Sequence, residues 1–186
     1  IINTILLNAE KHQLMDIVAE RFLREKRNSD ILAAILGYAL EARCGEGGTH
    51  MNGVGHLTKL LLLELCKRTD RYALEPDDIE LISTAAGLHD IGKVLIPESL
   101  HDIGKLLIPE EILTKPGKLT AAEFELVKQH TTLGARLVAE MPAYQNEALV
   151  KYIIEICHRH HERWNGEGYP GGLRGDECPI AAQVTA

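Results

Sequence analysis

Apolar positions along this chain recur at intervals of three and four, and nowhere do they alternate with polar ones over the length of a strand. That period predicts an all-α fold. Residues 1–27 set Leu14, Val18 and Phe22 four apart beside Glu20, Arg21, Arg24, Glu25 and Lys26, the pattern of a connecting or dimerising helix. Ser29-Asp30 would cap a second helix with Ile31, Ile35 and Leu36 inward, broken by Gly45, Gly47 and Gly48. A third helix, rich in Leu, is expected from about Met51 to Lys67 in a central position.

Further on, Glu75-Pro76-Asp77-Asp78 is a helix start, with Pro in the first turn and acids at the positive end of the dipole. Its inward stripe runs Ile79, Ile82, Ala86 and then His89. Thr120 and Glu123 form a capping box for a helix expected to turn Phe124 and Val127 inward. The last clear helix aligns Val150, Ile153, Ile154 and Cys157, and that face continues into His160 and His161. A Gly/Pro-rich loop follows over residues 166–175. These elements divide the chain into a connector or dimerisation helix at 1–30 and one helical domain at 31–186.

Composition narrows the function classes. The 186 residues carry a net charge of −7, which argues against a nucleic-acid polymer as partner. No apolar run approaches the roughly 18 residues of a membrane span. Cys44, Cys66, Cys157 and Cys178 form no C-x-x-C pair, so reduced thiols in a cytoplasmic protein are expected. The chain opens Ile1-Ile2-Asn3, with neither signal peptide nor initiator Met, and reads as an excised fragment. Residues 88–99 and 100–111 match at ten of twelve positions, so His89-Asp90 and Lys93 recur as His101-Asp102 and Lys105. A unit this short is no solenoid repeat; a local tandem duplication and an artefact leave the same trace.

Nine His in 186 residues stand out. His12, His56 and His158 read as surface or supporting residues. The others keep acidic or His company: Glu46 and His50 one helical turn apart, His89-Asp90 and His160-His161 at the ends of inward stripes, and His130 after the capping-box helix. A lone His on an apolar face is usually structural. Five His and two carboxylates converging on the core are costly to bury without a shared partner, and divalent metal ions are the natural one. Imidazole and carboxylate without thiolate suit iron, manganese or another borderline metal better than structural zinc.

His89-Asp90-Ile91-Gly92-Lys93, the run Lys115 to Leu119, a His after the next helix, and H-H-E-R-W-N-G-E-G-Y-P-G-G-L from His160 occur in the order of one family. Residues 31–186 resemble an HD-GYP domain, a branch of the HD superfamily of metal-dependent phosphohydrolases. The resemblance implies a helical fold around two or three divalent ions that hydrolyses cyclic di-GMP to pGpG, with GMP as a further product. It implies Glu46, His50, His89, Asp90, His130, His160 and His161 as metal ligands and Lys93 as a phosphate contact. His101, Asp102 and Lys105 compete for the places of His89, Asp90 and Lys93. The uninterrupted helix from Pro76 favours the first copy, since Pro97 shortens any helix before the second, although the second keeps the family's usual spacing to Lys115. Gly168-Tyr169-Pro170 would shape substrate or partner recognition; an ordinary turn would use the same residues.

By the same resemblance, two metals about 3.5–4 Å apart hold a bridging water, with Asp90 between them and Lys93 on a non-bridging phosphate oxygen. Implied partners are a diguanylate cyclase domain, a receiver or other sensory domain upstream, and a second copy in a homodimer. The chain stops before the family's A-D-x-x-D-A-L segment, so its metal site is expected to be incomplete. Two rivals remain. One is an HD phosphohydrolase for another nucleotide, which the intact Gly168-Tyr169-Pro170 argues against. The other is a catalytically silent module that binds cyclic di-GMP or a diguanylate cyclase.

Overall fold

A computed structural model describes residues 11, 14–27, 31, 50–94, 110–144 and 146–186. Helices α1 (residues 14–27), α2 (His50–Arg68), α3 (Pro76–Ala86), α4 (Glu110–Leu113), α5 (Ala121–Ala139), α6 (Ala148–Arg159) and α7 (Ile180–Gln183) account for most of these residues. Among the described residues there is no strand; one isolated bridge, Asn165 to Arg174, pinches the loop after α6. The fold is all-α. The expected second helix beyond Ile31, with Ile35, Leu36 and the Gly45–Gly48 break, lies outside the described residues.

The helix starts obey local chemistry. The Asp78 carboxylate accepts the Glu75 N–H at 3.0 Å below Pro76, and Tyr152 O–H donates to the same carboxylate at 2.8 Å, tying α3 to α6. At α5, Thr120 Oγ1 accepts the Glu123 N–H at 3.3 Å while Glu123 accepts the Thr120 N–H at 2.7 Å. The Lys115 ammonium, 2.7 Å away, holds the Glu123 carboxyl down at about 2. The core lies where α3, α5 and α6 pack together, with Ile82, Ala85, Ala86 and Ile156 fully buried. With no aromatic among them, small side chains let α6 lie against both α3 and α5, so the ends of α3 and α6 converge on the middle of α5.

Three expectations about burial need correction, the first being Ile31, expected inward and 48% exposed. The Leu-rich α2 is not central: Leu57, Leu60, Leu61 and Leu63 are exposed, and among its described side chains only Thr58 and Leu62 are fully covered. α2 packs along α3, and Gly55 marks the crossing, since a methyl there would lie 2.7 Å from the Ser83 carbonyl oxygen. Phe124 is 43% exposed rather than inward. It lies at the start of the α5 face that buries Thr131, Ala135 and Val138, where burial has already fallen to partial at Val127. In α1 the side chains of Leu14, Val18 and Phe22 are exposed, and Lys26 reaches Glu80 at 3.6 Å.

After α3 the chain tightens into a 3-10 turn, Ile91–Val94, that packs on α5. Gly92 makes this approach feasible. A methyl there would overlap the His130 carbonyl oxygen and sit 2.6 Å from the Gly134 nitrogen. The obstacle is backbone, which no rotamer change relieves. We expect Gly92→Ala to destabilise the fold by about 3 kcal/mol in urea unfolding, and Gly134→Ala by less, because its methyl would meet Gly92 at 3.0 Å. Equal stability of Gly92→Ala and the unsubstituted protein would refute this reading of the crossing.

Candidate metal centre

Two helix ends, the middle of a third helix and one turn deliver the site. α3 and its following turn bring His89 and Asp90; the middle of α5 brings His130; the C-terminal end of α6 brings His160 and His161. Asp90, His130, His160 and His161 each place a ligand-capable atom within 4.8 Å of all the others. His89 stands beside them, its Nε2 3.1 Å from Asp90 Oδ2 and its ring edge-on to His160 at 5.0 Å. Lys93 donates to the same Oδ2 at 2.8 Å.

The backbone settles the tautomers. His89 Nδ1 lies 2.8 Å from the Ala86 carbonyl, His130 Nδ1 2.6 Å from that of Val127, and His160 Nδ1 3.0 Å from that of Ile156. A carbonyl oxygen only accepts, so each Nδ1 carries the proton, and the neutral rings of His130 and His160 leave Nε2 as a bare acceptor, whereas His89 Nε2 faces Asp90 Oδ2. Those acceptors face one another. His130 Nε2 and His160 Nε2 are 3.1 Å apart, and they lie 3.2 and 3.7 Å from Asp90 Oδ1. Asp90 Oδ1 is buried without a hydrogen-bond donor. Acceptors gathered with nothing to accept from are costly, and a cation removes the cost.

Electrostatics favour the ligand forms of Asp90, His160 and His161. Burial is the largest single influence on Asp90 and would raise its pKa, but the imidazoles of His130, His160 and His89 together hold it well below the usual carboxylate range. Burial pulls His160 down, and pulls His161 down to about 3 with help from His160 and His130. His89 moves the other way: burial opposes it, yet the bond to Asp90 and that carboxylate's charge prevail and raise it. An ionised carboxylate with neutral imidazoles is the state that binds metal, and the donor set fits such an ion.

The turn after His161 is anchored by a side chain the sequence reading missed. Glu162, 4% exposed, accepts from the Gly171 N–H at 2.6 Å and the Leu173 N–H at 2.9 Å. The signal for it was a carboxylate directly before a Gly-rich loop whose N–H groups lack helix or strand partners. Tyr169, which precedes a cis Pro170, stacks on His161, and its own N–H donates to the His161 carbonyl at 3.1 Å.

Of the residues singled out earlier, the structure brings together His89, Asp90, Lys93, His130, His160, His161 and Tyr169. Among the described residues the first copy of the repeat stands at the cluster. His101, Asp102 and Lys105 of the second copy lie outside the described residues, as does Glu46. His50 opens α2, with its side chain outside the description. His56 is exposed and His158 half-buried, both apart from the cluster; His12 is outside the described residues. Among the described residues no helix is long and apolar enough to cross a membrane.

Residues 14–186 match the family model described as HD domain. A cyclic di-GMP phosphodiesterase of Thermotoga maritima is 49% identical over 93% of this chain and 41% of its own length. A probable cyclic di-GMP phosphodiesterase of Vibrio cholerae is 38% identical over 98% of this chain and 39% of its own length. A 3'3'-cGAMP-specific phosphodiesterase of the same organism is 34% identical over 87% of this chain and 26% of its own length. The chain thus spans about two fifths or less of the length of these curated relatives.

Saturating Mn2+ should stabilise the protein by mass action, about 2.7 kcal/mol at a hundredfold excess over Kd, seen as a raised Tm that EDTA reverses. Asp90→Asn should lose most of that gain. An unchanged Tm in the unsubstituted protein would argue against a cation at this cluster.

Proposed function

The chain belongs to the HD domain family, in its HD-GYP branch, and from that premise we propose that it is the hydrolytic module of a cyclic di-GMP phosphodiesterase. One observation carries the reading: Asp90 Oδ1 and the Nε2 atoms of His130 and His160 meet as acceptors with no donor between them. Asp90, His130, His160 and His161 would hold one divalent ion. The second carboxylate oxygen, facing His89, supports Asp90 as a bridge to another, with Glu46 and His50 completing the set that the resemblance implies. Iron or manganese suits these donors, in two or three ions. Ions so held lower the pKa of water and offset charge developing on a phosphoryl group.

The remaining work falls to the chain's own groups. Lys93, with its ammonium at the Asp90 carboxylate, would donate to a non-bridging phosphate oxygen of the substrate. Ile156, Ala86 and Val127, through their carbonyls, keep the imidazoles aimed while a substrate enters and leaves. Tyr169 and Pro170 would border the entrance and shape what reaches it. The exposed apolar side chains of α1 support a second copy of the chain as partner; sensory and diguanylate cyclase domains would be further partners by the resemblance alone.

With Mn2+ or Fe2+ supplied, the full protein should convert cyclic di-GMP to pGpG in a chromatographic assay, with 3'3'-cGAMP run alongside as the competing substrate. His160→Ala or His161→Ala should each cut kcat/KM by about 100-fold or more, at least the upper end of what losing a ligand's supporting partner costs. Unchanged turnover in either variant would sink the site assignment. Binding of cyclic di-GMP without hydrolysis at full metal loading would favour the silent module, and preference for 3'3'-cGAMP would redirect the substrate.

A further inference from the structure

His161 is held differently from its three neighbours. His89, His130 and His160 each donate Nδ1–H to a carbonyl of the preceding turn. Among the described residues, no hydrogen bond fixes the His161 ring. The phenol ring of Tyr169 lies against it instead, with centroids 4.6 Å apart and planes 26° from parallel. An imidazole with no bond on its far nitrogen can rotate and present either nitrogen; a flat ring packed on its face restricts that rotation.

Tyr169 is itself built into place. The Phe124 ring meets it edge-on at 6.2 Å, and the Lys128 ammonium sits 5.4 Å from its centroid. This gives the exposed Phe124 a role that core packing does not. The backbone beneath Tyr169 is equally constrained. A methyl on Gly168 would overlap the Arg163 nitrogen and lie 2.5 Å from the His161 carbonyl oxygen, so the loop lies flush on residues 161–163. The buried Glu162 carboxylate draws in the far side of the same loop through Gly171 and Leu173. Its two N–H bonds are charge-assisted, the stronger kind.

We propose that Tyr169 is a positioning residue for His161, supplying with a stacked ring the orientation that backbone carbonyls give the other imidazoles, and that Glu162 secures the loop that carries it. The inference rests on the metal reading above and adds an orienting role for the loop of Gly168-Tyr169-Pro170. Substrate recognition alone would leave metal binding indifferent to Tyr169.

The test is calorimetric titration of the full protein with Mn2+, together with the visible spectrum of its Co2+ form. Tyr169→Phe keeps the stacked ring and should bind Mn2+ as the unsubstituted protein does. Tyr169→Leu should bind roughly tenfold more weakly and change the Co2+ bands. Glu162→Gln, which turns one acceptor into a donor against an N–H, should shift both readouts the same way. In a His161→Ala background, Tyr169→Leu should add nothing. Unchanged Mn2+ affinity and Co2+ bands in a folded Tyr169→Leu protein would overturn the inference. Should that variant fail to fold, the same result in Glu162→Gln would overturn it. His160→Ala separates the levels. If it abolishes Mn2+ binding while Tyr169→Leu leaves it intact, only the present inference falls; if it binds Mn2+ normally, the metal reading falls and this inference with it.

Discussion

Two imidazole nitrogens 3.1 Å apart, each with its ring proton committed to a carbonyl on the far side, face a buried carboxylate oxygen that has no donor. Every group at that point accepts and none gives. In a low-dielectric interior such a meeting is strongly unfavourable unless positive charge enters it. The constraint works in both directions. It selects a cation as the missing partner, and it requires the surrounding fold to hold the acceptors together before that partner arrives.

That holding is done by small residues and by backbone. Ala85, Ala86 and Ala135 let α3, α5 and α6 approach closely enough for the ends of α3 and α6 to meet the middle of α5. Gly92 lets the turn after Asp90 rest directly on the His130 backbone, so the carboxylate and that imidazole are brought together by one contact. The Cys157 thiol, at the centre of the same packing, donates to the Leu88 carbonyl at 3.4 Å, just before His89. Burial and the Asp90 charge lift its pKa to about 12, so it stays a neutral thiol and adds no charge to the cluster. Beyond α6, Glu162 replaces helix packing with hydrogen bonds and secures the loop that reaches His161.

The parts of this arrangement that depend on neighbours in the chain were legible in the sequence. Pro76 and the Thr120–Glu123 box mark helix starts because capping is local, and the apolar stripes of α3 and α6 run into His89 and His160 because helical period is local. What depends on where helices cross was not. Periodicity aligned Phe124 with the buried face of α5 without showing that burial gives out toward the start of the helix. It made α2 look central, because a run of Leu reports hydrophobicity and not which sides are covered. The need for glycine at 92, the tautomers set by Ala86, Val127 and Ile156, and the burial of Glu162 all arise from contacts between segments far apart in sequence or folded back on themselves.

The claim at the centre of this account is that the acceptors at Asp90 are a cation site. Anomalous diffraction at the manganese edge, from crystals of the full protein grown with Mn2+, tests it directly. The account predicts a peak within bonding distance of Asp90 Oδ1 and the Nε2 atoms of His130 and His160. A clear map with no peak there, or with the only peak bound elsewhere, would contradict it.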